Sequence, residues 1–341
     1  MTYEYKNIRM VHLETTQLCQ ASCPMCDRNM NGGDVNPYLK NKSLSLENIK
    51  HIFPESFLHQ LDNIYFCGNH GDPIFAPECL EMFEYMRSKN KYLKLGITTN
   101  GGARKADWWV ELAKLDVHVN FSVDGLEDTN HLYRQGVVWK NVEENIDAFT
   151  SAGGKGDWTF LVFNYNEHQV QEAERYSKLL GINKFIVKKS GRYLTANLEK
   201  KEQHQAIFRK GLGALLSKPK NKDYRNKELE KNINLTDSLE TFRVVPKCVQ
   251  KKEIYISAEG FVLPCCWTAG QMYKWYHQPE ASQIWEFING YNINALDSSV
   301  KEVMESGFFK KIQKGWSGDN KLKTCLVKCN DKFDPYVAQW N

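Results

Sequence analysis

The feature that most restricts the fold is an alternation of short apolar or β-branched runs with longer helix-period stretches, sustained from residue 8 to about residue 188. The strand candidates are Arg9–Glu14, Asn63–Cys67, Leu93–Thr98, Val117–Val123, Thr159–Phe163 and Lys184–Val187. Between them apolar residues recur three and four positions apart, the spacing of one buried helix face. Leu80, Phe83 and Met86 follow it, as do Trp108, Leu112 and Leu115. The series continues with Val142, Ile146 and Phe149, then with Val170, Ala173, Tyr176 and Leu180, where Gly181 reads as a helix stop. Strands joined through helices pair in parallel, because a parallel pair needs a crossover that a tight turn cannot supply. Such α/β domains carry their functional loops at the carboxyl ends of the strands. Periodicity alone leaves open whether the sheet closes.

Length and charge narrow the class further. The 341 residues make one large domain or two, at roughly 150 residues per domain. With 42% hydrophobic and 25% charged residues, collagen-like, low-complexity and disordered chains are excluded. No apolar run approaches the ~18–20 residues of a membrane span, and the first residues lack the apolar stretch of a signal peptide. A cytoplasmic protein is therefore expected. A formal net charge of +4 provides no whole-molecule field that argues for nucleic acid.

The basic residues are concentrated in one place. Residues 200–231 hold ten Lys or Arg against four acids, so the rest of the chain is slightly acidic. A run of this kind reads as a solvated helical linker; the alternative is a docking surface for an acidic substrate or partner. From Pro246 the pattern changes. Glu253–Ser257 and Phe261–Leu263, joined through Ala258-Glu259-Gly260, read as a β-hairpin. The expected organisation is a core domain over 1–195, a basic connector over 196–245 and a small cysteine-rich α+β domain over 246–341.

The ten cysteines stand at 19, 23, 26, 67, 79, 248, 265, 266, 325 and 329. In a reducing compartment, crowded cysteines point to metal binding or catalysis rather than disulfides. Cys19, Cys23 and Cys26 follow the first strand and grip one side of a compact metal centre. Closed zinc or iron–sulfur sites take four protein ligands, so three ligands leave an open position, the arrangement of a reactive centre. Cys248, Cys265, Cys325 and Cys329 supply a complete second set, able to close a tetrahedral zinc or a fully ligated iron–sulfur cluster. Cys266 competes with Cys265 for that role. Cys67 and Cys79 fit no ligand spacing and read as small buried residues.

The Cys19-x3-Cys23-x2-Cys26 loop resembles that of the radical S-adenosylmethionine (radical SAM) superfamily. Further elements support the resemblance. Asn69-His70-Gly71-Asp72-Pro73 resembles the family's Gly-Gly-Glu-Pro element, with Asp for Glu, and Thr98-Thr99-Asn100-Gly101 its Thr-Asn-Gly turn. Ser122-Val-Asp124-Gly125 ends the fourth strand as in many members, and His131-x2-Arg134 follows. The resemblance spans about residues 8–190. It implies a partial (β/α)6 barrel, TIM-like, whose three cysteines hold a 4Fe–4S cluster with one iron open to S-adenosylmethionine (SAM). It gives Gly71 a close backbone approach, Asp72 the ammonium group, Ser122 the ribose or carboxylate end, and Arg134 the carboxylate. Met25 stands where members often carry an aromatic residue, and Asp72 is a methylene shorter than the usual Glu.

The resemblance also implies an activity, the reductive cleavage of SAM to a 5′-deoxyadenosyl radical that removes a hydrogen atom from a substrate carbon. The second cysteine set resembles the C-terminal extensions called SPASM and Twitch. With too few cysteines for two auxiliary clusters, it looks like the Twitch form, with one auxiliary 4Fe–4S cluster on Cys248, Cys265, Cys325 and Cys329. Such enzymes modify peptide or protein side chains or dehydrogenate small polar alcohols such as sugars and aminocyclitols. Only eighteen residues precede Cys19, which leaves no room for an N-terminal peptide-recognition domain. Oxidative modification of a peptide or protein side chain is the expected reaction, with alcohol dehydrogenation as the alternative and RNA modification behind both. Flavodoxin or ferredoxin is the implied electron donor. A zinc-binding module is the contrasting class, though its fingers would favour paired Cys-x2-Cys knuckles. His70, Trp267, Trp275 and Trp285 read as packing residues, and Lys188, Lys189 and Arg192 as basic groups facing the active-site end.

Overall fold

The computed structural model describes residues 3–194, 200–207, 213, 215–231, 241–276 and 278–340. Residues 196–199 and 232–240 of the expected connector, with Arg209 and Lys210 of its basic run, lie outside the described residues. Among the described residues the strands are β1 (Met10–Leu13), β2 (Asn63–Phe66), β3 (Lys94–Thr99), β4 (Val117–Ser122), β5 (Gly156–Val162), β6 (Lys184–Lys189), β7 (Gln203–Gln205), β8 (Leu215–Ser217), β9 (Glu253–Ile256) and β10 (Val262–Leu263). The first six match the six predicted positions to within three residues at each end. The chain divides into two compact units. One comprises Met1–Cys19, Asn36–Ile97 and Arg243–Asp331; the other comprises Gln20–Val35, Thr98–Phe242 and Lys332–Asn341.

In the first unit β1 has a parallel neighbour on each side. Leu13 stands opposite Phe66 of β2 and Ile256 of β9. β3 continues the sheet beyond β2, and β10 closes a hairpin on β9 through Gly260, whose φ of +87° suits glycine. A strand covered on both faces buries every residue. Val11 and Leu13 fill one face of β1, while His12 and the following Glu14 are buried on the other. The helix Cys79–Lys89 buries Phe83 and Met86 as its spacing predicts, together with Cys79 and Met82, while Leu80 is half-buried; Phe83 stacks on Phe66 at 4.1 Å. Cys79 is thus a core residue.

The second unit is built on β4, β5 and β6, all parallel. The helix Trp139–Ser151 buries Val142, Ile146 and Phe149 as its spacing predicts. In the helix Ala106–Lys114 it is Trp109, not Trp108, that is buried. Its indole N–H donates to the Ala103 carbonyl at 3.1 Å, so the ring enters the core without an unmet donor. Gly181, at φ +74°, follows the helix Val170–Leu179 as the predicted stop.

Two expectations about organisation need revising. The described part of the basic stretch is not a solvated helix: β7 and β8 pair antiparallel. Lys218 is buried between Glu202 at 2.8 Å and Glu230 at 3.0 Å, so part of the charge is spent on internal ion pairs. Nor do the compact units divide at residues 195 and 246. Because β9 takes its place beside β1, Arg243–Asp331 belongs with the chain's first strands. No helix among the described residues is long and apolar enough to cross a membrane.

Candidate cofactor sites

In the first unit, β1 runs into the segment that carries Cys19, and the loop after β2 folds against that segment. The Asp72 amide donates to the Leu18 carbonyl at 2.9 Å. A Cβ on Gly71 would stand 2.0 Å from the Thr16 carbonyl oxygen, so only glycine allows this approach. Asp72 is buried, and its Oδ1 accepts from the Ile74 amide at 3.3 Å, capping the short turn Pro73–Phe75. Its neighbour His70 is held by Glu14, whose Oε1 accepts the His70 amide at 2.6 Å. His70 is therefore a fixed part of this loop.

Cys23 and Cys26 belong to the second unit and share a tight turn, with the Cys26 amide donating to the Cys23 carbonyl at 3.1 Å. Arginines stand beside this turn. Arg134 places Nη1 3.7 Å from Cys23 Sγ, while its Nε lies 2.6 Å from Asp124 Oδ2. Burial, the largest single influence, works against the guanidinium charge, but Asp124, Cys23 and Tyr133 together outweigh it and raise the Arg134 pKa. Arg192 donates to the Met25 carbonyl and lies 3.5 Å from the Tyr133 hydroxyl. Burial pushes the Cys23 thiol up to about 11, with Arg134 pulling against it. It also raises Cys26, with Arg192 opposing. Buried thiols ionise when a metal supplies the compensating charge, so this donor set fits a cationic centre.

The other motif residues of this unit support the turn. Asn100 accepts from Gln20 Nε2 at 2.8 Å and from the Gly102 amide at 2.9 Å, and the Ser22 amide donates to the Gln135 carbonyl at 2.8 Å. Ser122 is half-buried at the carboxyl end of β4, opposite Thr159. Lys188 lies over the Trp340 ring at 4.5 Å.

The four cysteines of the second set do come together. Cys248, Cys265, Cys325 and Cys329 line one cavity, with Trp267 and Trp316 among its walls. The helix Lys323–Lys328 ends at Cys329, so Cys325 and Cys329 lie one turn apart, the spacing of a shared helix face. Burial pushes the Cys265 thiol up to about 11, with Cys329 adding to the effect, and raises Cys248 and Cys325 as well. Clustered thiols in this state again fit a positively charged group. Among the described residues no three His, Cys, Asp or Glu side chains converge on a single-ion position. The thiols wall a cavity instead of meeting at a point. Cys266 is not part of that lining. Trp285 donates to the Met272 carbonyl at 3.0 Å and Trp275 packs on Tyr276, both packing roles.

Three residues of these sites were not singled out from the sequence. Glu14 had a signal, a carboxylate ending a buried strand. Asp124 lay within the motif at the end of the fourth strand without a partner being evident. Trp316 carried no signal, because nothing in its spacing ties it to Cys325.

The family model for the Radical SAM superfamily matches residues 13–176. No curated protein matches the chain. Among solved structures, Streptococcus suis SuiB bound to the precursor peptide SuiA is 14% identical, with a TM-score of 0.60 over 98% of this chain and 77% of that one. Native anSMEcpe with bound AdoMet is 15% identical, with a TM-score of 0.58 over 97% of this chain and 95% of that one. The same protein with AdoMet and the Cp18Cys peptide is 14% identical, with a TM-score of 0.54 over 97% of this chain and 94% of that one. At these identities the likeness is one of fold.

Proposed function

Because this chain belongs to the radical SAM superfamily, as an enzyme with that family's α/β partial-barrel fold, we propose that it oxidatively modifies a side chain of a peptide or protein substrate. In this reading Cys19, Cys23 and Cys26 hold a 4Fe–4S cluster, and Cys248, Cys265, Cys325 and Cys329 hold an auxiliary one. Held there, the first would supply, with SAM, the radical chemistry that removes a hydrogen atom from carbon, and the second would supply an acceptor for the electron left behind.

The chain's own groups then have separable tasks. Asp72 meets the ammonium group of SAM through a charge-assisted contact, on a loop that Gly71 lets lie against the cysteine segment. Arg134, held at Nε by Asp124, keeps its fork oriented for the carboxylate and its charge beside Cys23. Ser122, at the end of β4, serves the ribose or carboxylate end. Binding and orientation are the protein's contribution, because a small misplacement of the reacting carbon is costly. A flavodoxin or ferredoxin is the expected electron donor.

The observation that carries the reading is that Cys248, Cys265, Cys325 and Cys329 line one cavity. Solved structures of this fold with the precursor peptide SuiA or the Cp18Cys peptide bound support the peptide class. The test is anaerobic reconstitution, followed by iron analysis and incubation with deuterated candidates. About eight irons per chain and transfer of deuterium from a peptide into 5′-deoxyadenosine are expected. Four irons with one zinc would remove the auxiliary cluster, and label arriving only from sugars or aminocyclitols would move the substrate to the small alcohols.

A further inference from the structure

Within the first unit, one buried carboxylate has no place in the roles above. Glu14 follows β1 directly, is 1% exposed, and lies outside the family motifs at residues 19–26, 69–73, 98–101 and 122–134. Its two oxygens are divided between two elements. Oε1 accepts the His70 amide at 2.6 Å, and Oε2 accepts the Tyr255 hydroxyl at 2.5 Å, with His70 Nδ1 3.8 Å from the same oxygen. Tyr255 is a residue of β9, fully buried. Burial by itself would raise the carboxyl's pKa, yet the contacts from His70 and Tyr255 outweigh it and hold Glu14 below the usual range.

A buried charge is a poor choice for stability alone, since apolar residues of similar volume do as well or better. Its distinguishing property is a fixed geometry. The His70 amide is two residues from Asp72, and the peptide between them is the one at Gly71 that lies against the Thr16 carbonyl. The loop is tied again by Asn69, whose Nδ2 donates to the Cys266 carbonyl at 2.8 Å. Asp72 can meet an ammonium group only where this loop puts it.

We propose that Glu14, braced by Tyr255, is a positioning residue that sets the loop Asn69–Asp72 so that Asp72 meets the ammonium group of SAM. This deepens the SAM-binding reading and rests on it. Tyr255→Phe removes one oxygen from the brace and leaves its ring in place. Glu14→Gln keeps the shape and the acceptor for His70 while removing the charge. Both effects run through Asp72, so they should not add to the loss caused by Asp72→Asn.

The experiment measures SAM affinity by equilibrium dialysis on anaerobically reconstituted holoenzyme, together with iron content and the SAM-induced change in the reduced cluster's electron paramagnetic resonance spectrum. Tyr255→Phe should weaken SAM binding about tenfold at unchanged iron content and blunt the spectral change. Glu14→Gln should weaken it by at least as much. Combined with Asp72→Asn, Tyr255→Phe should add less than about twofold. SAM binding by both single variants as tight as wild type overturns the proposal, as does a loss that simply multiplies with that of Asp72→Asn. If Glu14→Gln fails to fold, Tyr255→Phe and its combination with Asp72→Asn decide the matter. A wild-type holoenzyme that binds no SAM at all refutes the SAM-binding reading, and this inference falls with it.

Discussion

The ion pair between Arg134 and Asp124 makes the sharpest energetic prediction. The two groups stand 2.6 Å apart, Asp124 is 1% exposed on its side chain and Arg134 is 19% exposed. At an effective dielectric of about 20, their attraction is about 6 kcal/mol, and desolvation offsets much of it. Removing one partner of a buried pair costs about 3–5 kcal/mol because the other is left uncompensated. Arg134→Met should fall at about 3 kcal/mol, the lower end, since water reaches the arginine side of the pair. The site of the measurement follows from the structure. Asp124 Oδ1 accepts the Leu161 amide at 2.8 Å, so native-state hydrogen exchange at Leu161 reports opening of this unit directly. Exchange governed by that opening should accelerate about hundredfold. Asp124→Asn keeps the acceptor for Leu161 and removes the stranded charge, so the double variant should recover most of the loss. The apo protein is the right sample, since a bound cluster would add its own stabilisation. If Arg134→Met exchanges within a factor of two of wild type, or the double variant is no slower than the single, the pair is not what holds this region.

Other consequences can be checked more briefly. Cys265→Ala should remove about half of the bound iron while Cys266→Ala leaves it unchanged, read by iron assay after reconstitution, because only Cys265 lines the four-cysteine cavity. Gly71→Ala sets a methyl group 2.0 Å from the Thr16 carbonyl oxygen; it should cost about 1–3 kcal/mol in urea unfolding and abolish SAM binding in dialysis. Glu14 is depressed in the fold, so its stabilisation is present above its unfolded-state value and is lost as pH falls through the folded one. Glu14→Gln should therefore flatten the acid limb of the stability–pH curve, measured by thermal unfolding below neutrality.

The sequence made the repeating architecture legible because its signals are local. A buried parallel strand needs a run of apolar residues, and a crossover helix needs one stripe, so β1–β6 and the helix stop at Gly181 could be placed in advance. The buried stripes were harder. Trp109 lies inside where Trp108 had been expected, because tertiary packing and a carbonyl at Ala103 decide which face turns inward. The basic stretch misled for a related reason. Lys218 counts as a solvated charge until Glu202 and Glu230 are seen on either side of it, and those partners are set by the β7–β8 hairpin. At the sites, spacing grouped Cys248, Cys265, Cys325 and Cys329, which line one cavity, and favoured Cys265 over its neighbour. It could not pair Glu14 with Tyr255 or bring Trp316 to the four cysteines, because those contacts lie far along the chain.

The placement of β9 also changes how the cysteine-rich segment is understood. A hairpin read at residues 253–263 gives no clue to what it pairs with, and a separate domain is the natural expectation for a segment with its own ligands. In the structure β9 takes β1 as a parallel partner, with Met10 opposite Glu253 and Leu13 opposite Ile256. Both strands therefore point their carboxyl ends the same way. β1 leads through Glu14 into the segment of Cys19, whereas β9 turns back through the antiparallel β10 before the chain reaches Cys265. Tyr255 reaches Glu14 across this strand pair, and Asn69 ties the loop after β2 to the Cys266 carbonyl. A detached domain could drift relative to the Asn69–Asp72 loop at the expense of a flexible linker alone. Here the same movement would break a parallel ladder and a buried carboxylate's hydrogen bonds, so the proposed auxiliary-cluster segment is fixed to the Asn69–Asp72 loop by the sheet itself.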